Sequence, residues 1–371
     1  LKLLYIVHDL HDSAVIRRVQ MFRAAEVDVV VAGFRRRDAV PADVAGAPVI
    51  DLGRTQDARF VQRVAAVLRN IALPGRLLAA AQGCDVIVGR NLEALALALR
   101  ARKAAPRARI VYECLDIHRL LLGSSWPARL LQAIEAWMLV RVDLVLTSSP
   151  AFERDYFAHR PTLHAPVLLL ENKLFVLDGA PPQPLVPSSG PPWVIAWFGM
   201  LRCARTFDIL AALAARHAGR IEVHIAGRPS PAVFDDFEVR VAAAPHLRYL
   251  GPYAAEDLPR FYQPCHFAWA IDYFEEGLNS KWLLPNRLYE AASFGVVPIA
   301  LRSVETGKWL DSHNAGLTID DGLEALAALG TLSQADYATL RAAVTALDPG
   351  DLTATIADCR ALRVALEGKS A

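Results

Sequence analysis

"PNRLYEAASFGVVPIA", residues 285–300, decides how this chain is read. It opens at Pro285, passes through a helical centre to Gly295, and continues as a short apolar run containing Pro298. A helix that stops at a glycine and feeds straight into a buried strand is one half of a strand–helix–strand unit. Arg287 and Glu290 stand three apart in that helix, so they share a face near its start. An ion pair steadying its own helix accounts for them. So does a ligand at the first turn, where unpaired N–H groups point outward.

The same alternation extends in both directions. "LKLLYIV" (1–7) and "VDVVVAGF" (27–34) read as buried parallel strands around a helical stretch, and "APVIDL", "CDVIVGR", "ARIVYECLD" and "VDLVLTSS" follow as further strands. Around 176–192 the pattern stops at "VLDGAPPQPLVPSSGPP", which reads as a linker. It restarts with "WVIAWFG", "IEVHIAG", "HLRYLGP", "HFAWAID", "VVPIAL" and "AGLTI". The pattern predicts an α/β protein of two Rossmann-like doubly wound domains facing a central cleft. The expected division is a first domain at 1–175, a linker at 176–192 and a second domain at 193–345. A C-terminal helical segment, 346–371, is suited to packing back on the first domain.

Apolar residues are spread in runs that charges interrupt well before the ~20 residues a membrane span needs. A soluble or peripheral protein is therefore expected; the first residues, which need not be the natural start, read as a strand and not as a signal peptide. The 5 cysteines are far apart and in no paired spacing, which suits a reducing cytoplasm and neither a zinc site nor a disulfide framework. Residues 1–175 hold 24 Lys and Arg against 17 Asp and Glu, and the remainder holds 16 against 22. Balances of +7 and −6 suit two domains with different partners, or simple drift between domains. "RTQDARFVQRVAAVLRNIALPGRLLAAA" (54–81) mixes arginines with apolar residues as a basic amphipathic helix does. Such a helix suits an anionic membrane surface, and equally suits packing on its own sheet. There is no G-x-G-x-x-G after a strand, no P-loop and no H-E-x-x-H, which disfavours dinucleotide enzymes, P-loop kinases and zincins. Nucleic acid is not an expected partner.

Chemistry concentrates at "WFGMLRCARTFDILAALA" (197–214). It reads as a strand ending at Gly199, a basic loop, and a helix from about Thr206. Arg202 and Arg205 beside a helix start make a place for phosphate oxygens, or an ordinary turn with solvated arginines.

With the opening stretch, this segment resembles the GT-B-fold glycosyltransferases, especially retaining nucleotide-sugar-dependent enzymes like those of family 4. "FGMLRCARTFDIL" is similar to that family's diphosphate turn. Gly199 matches its glycine and Arg205 its lysine; its arginine falls on Met200, and Arg202 is placed to take over that charge. "PNRLYEAASFGVVPIA" is similar to the family's ribose helix, with Glu290 on the acidic residue and Gly295 and Pro298 on the positions after it. Arg287 falls on a lysine found in one branch. The resemblance implies that the helix start, with Asn286 and Arg287, faces the diphosphate, while Glu290 accepts from two ribose hydroxyls. The family's sugar-contacting Glu falls by position on Trp282, whereas Glu276 followed by Gly277 restores the match across an insertion. Asn279 and Lys281 are alternatives in that loop.

In the first half, "YECLDIHRLLLG" (112–123) puts Asp116 and His118 at a strand end. His118 is suited to bonding the donor sugar or handling the acceptor proton, with Asp116 orienting it. A capping Asp and a structural His are the plainer alternative. "VHDLHDSAVIRR" (7–18) crowds His8, Asp9, His11, Asp12, Arg17 and Arg18 where relatives often carry a glycine pair; their spacing matches no metal site, and none is expected. Trp197, Trp269, Tyr273 and Trp282 suit stacking on a base or sugar, and equally suit a core.

The resemblance implies a retaining, metal-independent transferase with no cofactor, using a nucleotide-diphosphate sugar and a saccharide or lipid-linked acceptor. Its expected setting is bacterial surface polysaccharide or glycolipid assembly, in the cytoplasm and at the inner membrane face. A nucleotide-sugar epimerase of the same fold and a non-catalytic binding protein are the alternatives.

Overall fold

A computed structural model describes residues 1–55, 60–177, 180–321 and 323–369. The chain divides into two units: Leu1–Glu171, Leu177–Gly179 and Ala354–Ala371 form the first, and Asn172–Val176 with Ala180–Thr353 the second.

The first unit is built on an eight-stranded sheet. Its strands are β1 (Lys2–Val7), β2 (Asp28–Arg35), β3 (Asp43–Val44), β4 (Ala47–Arg54), β5 (Val86–Arg90), β6 (Arg109–Cys114), β7 (Leu144–Thr147) and β8 (Val167–Leu169). The spatial order is β3-β4-β2-β1-β5-β6-β7-β8. All pairings are parallel except β3 with β4. The chain starts in the middle, winds outward through β2 and β4, then returns to β5 and winds the other way. Leu3 to Val7 are fully buried, because helices cover both sheet faces; that is why the strand reads as an unbroken apolar run. The helix Ile356–Glu367 belongs to this unit and buries Cys359, Leu362 and Leu366. Arg109 donates to the carbonyls of Ala365 at 2.8 Å and Leu366 at 2.6 Å, placing a cation on the last carbonyls of that helix.

A short strand, β9 (Leu174–Phe175), precedes the second sheet of β10 (Trp193–Leu201), β11 (Ile221–Pro229), β12 (Leu247–Tyr249), β13 (Phe267–Trp269), β14 (Val297–Leu301) and β15 (Leu317–Ile319). Its order is β12-β11-β10-β13-β14-β15, all parallel. Side chains alternate along β10. Trp193, Ile195 and Trp197 enter one core layer, and Val194, Ala196 and Phe198 the other.

Two stretches differ from their sequence-based outline. The Pro-rich stretch at 176–192 is bonded to the second unit from Leu185 onward. Leu185 donates to the Phe294 carbonyl at 2.9 Å, and Arg341 and Gln263 donate to the carbonyls of Leu185 and Val186. The His266 ring lies 2.9 Å from the Ser188 carbonyl. Prolines bring no N–H, so carbonyls carry most of this anchoring. The 54–81 segment is not one helix. Its first residue ends β4, positions 56–59 lie outside the described residues, and helices Phe60–Ala72 and Gly75–Ala81 are bent apart by 71°. Pro74 explains the break: it lacks a donor and disfavours helical geometry at Leu73. Among the described residues no single helix is long and apolar enough to cross a membrane, although this bent pair passes by length and composition.

Candidate active site

In the second unit the strand order reverses between β10 and β13, and in open parallel sheets the carboxyl ends of the strands at such a switch are where ligands usually bind. β10 runs on to Leu201 instead of ending at Gly199, because β11 keeps pairing with it through Gly199 with Gly227 and Leu201 with Pro229. Both glycines are left-handed, at φ 120° and 134°, and a Cβ on Gly227 would lie 1.7 Å from the Gly199 carbonyl oxygen. Gly227 thus serves a close backbone approach inside the sheet, while Gly199 has open space where a Cβ would stand and is set apart by its positive φ. The following helix is Ala204–Arg216, two residues earlier than the sequence suggests, and the Cys203 thiol caps it by accepting from the Thr206 N–H at 3.4 Å.

Arg202 and Arg205 lean across to the segment that follows β13. Arg205 bonds Glu276 through one guanidinium nitrogen and Asp321 through another at 2.7 Å, and lies over the Tyr273 ring at 4.0 Å. The Tyr273 hydroxyl donates to the same Asp321 at 2.7 Å. Burial first, then that bond, pushes the Tyr273 hydroxyl pKa up, so it stays a donor. Arg202 pairs with Asp272 at 3.4 Å and covers the Phe274 ring at 4.4 Å. These contacts bring Arg202, Arg205 and Glu276 together.

The opening helix, Asn286–Ser293, begins after Pro285, which offers no side-chain cap, and closes at Gly295 with φ 73°. Arg287 donates to the Ile271 carbonyl at 3.2 Å, tying the helix start to the segment that carries Asp272 and Glu276. Glu290 is buried one turn on. The buried Tyr262 hydroxyl registers both charges: burial raises its pKa most, Glu290 raises it further, and Arg287 opposes. A small cavity between the ends of β13 and β14 is lined by Ile271, Asp272, Ser280, Pro285, Leu301 and Thr306.

The first unit has its own polar cluster where its strand order reverses. Glu113 is fully buried; it accepts from Arg18 at 2.7 Å, from Arg90 at 3.2 Å, and from the Tyr5 hydroxyl. Asp12 caps the helix Ser13–Ala24 and pairs with His8 at 3.3 Å and Arg90 at 3.8 Å. Burial raises the Asp12 pKa, but the His8 bond and the Arg90 charge together outweigh it and hold the carboxyl well below its usual range. His118 caps the short turn Arg119–Leu122, its Nδ1 accepting from the Leu120 N–H at 3.3 Å, and the Asp116 carbonyl faces the Cys114 thiol at 3.8 Å.

ExoL of Rhizobium meliloti (strain 1021), a succinoglycan biosynthesis protein, is 42% identical over 371 residues, covering 98% of this chain and 92% of that protein. A profile of the glycosyl transferase 4-like domain matches residues 15–172. The chain belongs to the glycosyltransferase 4-like family. The fold is that of GT-B enzymes. HepE of Anabaena, solved with UDP and glucose, superposes with a TM-score of 0.69 at 15% identity over 98% of each chain. Sucrose-phosphate synthase from Thermosynechococcus elongatus does so at 0.70, with 14% identity over 99% of this chain and 96% of that one.

In this glycosyltransferase Arg202, Arg205, Glu276, Asn286, Arg287 and Glu290 all belong to the second unit, whereas Asp116 and His118 belong to the first. Trp197, Trp269 and Tyr273 are packed in the core, and Tyr273 additionally carries Arg205 on its face. Asp272 and Asp321, the acids that hold the two arginines, escaped the sequence reading. Their signal is weak: each lies just past the end of a strand, at the carboxyl edge of the sheet.

Proposed function

We propose that this glycosyltransferase moves a sugar from a nucleotide-diphosphate sugar to a saccharide or lipid-linked acceptor during exopolysaccharide assembly. The 42% identity with a succinoglycan biosynthesis protein, over nearly the whole of both chains, carries the reading. Structures of HepE with UDP and with UDP-glucose support a nucleotide-sugar donor. In this reading the diphosphate sits at the starts of the Ala204–Arg216 and Asn286–Ser293 helices, where backbone N–H groups point outward. Arg205 then exchanges its two carboxylates for phosphate oxygens, with Arg202 beside it. Charge builds on the leaving diphosphate in the transition state, so fixed cations stabilise that state more than the ground state without calling on a divalent ion. Glu290 holds the ribose hydroxyls and Glu276 meets the transferred sugar, which keeps its anomeric configuration. His118, oriented by Asp116, receives the donor sugar or the acceptor proton. The enzyme works in the cytoplasm, at the membrane face where a lipid-linked acceptor presents itself.

Calorimetry with UDP, GDP, ADP and their sugar derivatives, on wild type and on Glu290→Ala, tests the reading. One nucleotide is expected to bind at micromolar strength and to lose that binding in the variant with the fold intact. A folded wild type that binds none of them would overturn it.

A further inference from the structure

The helix Trp126–Leu139 in the first unit turns an apolar face outward. Trp126, Leu130, Ile134, Trp137 and Val140 are all exposed, the two tryptophans by 76% and 56%. At ~100° per residue these five fall within an arc of about 120°, a single stripe over four turns. Arg129 and Arg141 are exposed and lie within or beside the same arc. Arg141 rests its guanidinium on the Trp137 ring at 4.1 Å.

The one acid on this helix, Glu135, points the opposite way. It is buried, accepts from the Tyr156 hydroxyl at 2.6 Å, and pairs with Arg160 at 3.4 Å. The outward face is therefore apolar and purely cationic. Protein interfaces usually match charged groups of both signs across the contact. Tryptophans along a stripe edged by arginines instead fit the boundary between acyl chains and anionic headgroups.

We infer that this face docks the enzyme on an anionic lipid bilayer. The helix lies in the plane of the headgroups, its tryptophans and aliphatic side chains dip into the acyl boundary, and Arg129 and Arg141 meet phosphates. This deepens the reading above, since a lipid-linked acceptor brings the enzyme to a membrane, and it assigns the contact to residues 126–141 rather than to the 54–81 segment.

The test is co-sedimentation of the full chain with vesicles of phosphatidylglycerol and phosphatidylcholine, and with phosphatidylcholine alone, at low and high salt. Wild type should bind the anionic vesicles preferentially, and salt should weaken that binding. Trp126→Ser/Trp137→Ser and Arg129→Glu/Arg141→Glu should each lower partitioning by roughly tenfold or more, with melting temperature unchanged because these side chains are exposed. Equal binding by wild type and variants, or none by wild type, would overturn the proposal. So would a wild-type dimer that the tryptophan variant dissolves, which would assign the face to a second copy. Nucleotide affinity, measured in parallel, keeps a failure here separate from a failure of the donor reading.

Discussion

Arg205 is held by the carboxylates of Glu276 and Asp321, so on the proposed reading a diphosphate must compete with them. The consequence is that removing one acid should tighten nucleotide binding. Asp321→Asn is the cleanest perturbation, because the amide keeps an oxygen to accept from Tyr273 while the charge is lost. The Arg205–Asp321 pair is 2.7 Å long, but both side chains are 42% exposed. An ion pair in that setting is worth ~0.2–1 kcal/mol. Freeing Arg205 from it should therefore lower the nucleotide Kd by a factor of ~1.4 to ~5. The cation–π contact with Tyr273 at 4.0 Å survives, so the guanidinium stays in place. Arg205→Ala removes the cation itself, and hydrogen bonds to charged groups are worth ~1.5–3 kcal/mol, so affinity should fall by ~10- to ~150-fold. Calorimetry with the nucleotide that wild type binds separates these opposite signs, and the gain in Asp321→Asn should shrink in high salt. A several-fold weakening in a folded Asp321→Asn protein would refute the competition and make Asp321 part of what holds the ligand.

Two further expectations concern stability. Glu113→Ala leaves the buried Arg18 and Arg90 without their shared carboxylate, so chemical denaturation should show a loss of ~3–5 kcal/mol; a loss under ~1 kcal/mol would mean that the arginines find other partners. Stability should also fall as pH drops below ~6.5. Burial first, then Arg248, lowers the pKa of His224; burial lowers that of His266, against the Ser188 carbonyl. Both imidazoles stay neutral in the folded protein where unfolded histidine already binds a proton, so the unfolded state gains protons and each site steepens the fall by up to ~1.4 kcal/mol per pH unit. Urea midpoints between about pH 5 and 8 should follow this slope, and His266→Gln should flatten it.

What the sequence made legible follows from local physics. Strands buried on both faces leave continuous apolar runs such as "LKLLYIV", and glycine and proline mark where they stop. The acids around Arg205 are another matter. Asp321 is 116 residues from Arg205 and follows β15, three strands away from β10, so only the assembled sheet brings them together. The helix at 126–139 shows a second kind of limit. Its apolar residues lie all round it, and periodicity alone does not say which side meets the sheet. A carboxylate would ordinarily mark the solvent side, yet Glu135 marks the buried one, because Tyr156 and Arg160 wait for it there. Burial raises the Glu135 pKa, and the Tyr156 bond and the Arg160 charge offset only part of that rise. Once this acid is turned inward, its bonds fix the helix rotation, and the tryptophans come to lie on the opposite, exposed side. A helix facing the other way would have exposed Glu135 and spoiled a cationic membrane face. The same inward bond that satisfies one buried carboxylate thus gives the outer surface its single sign of charge.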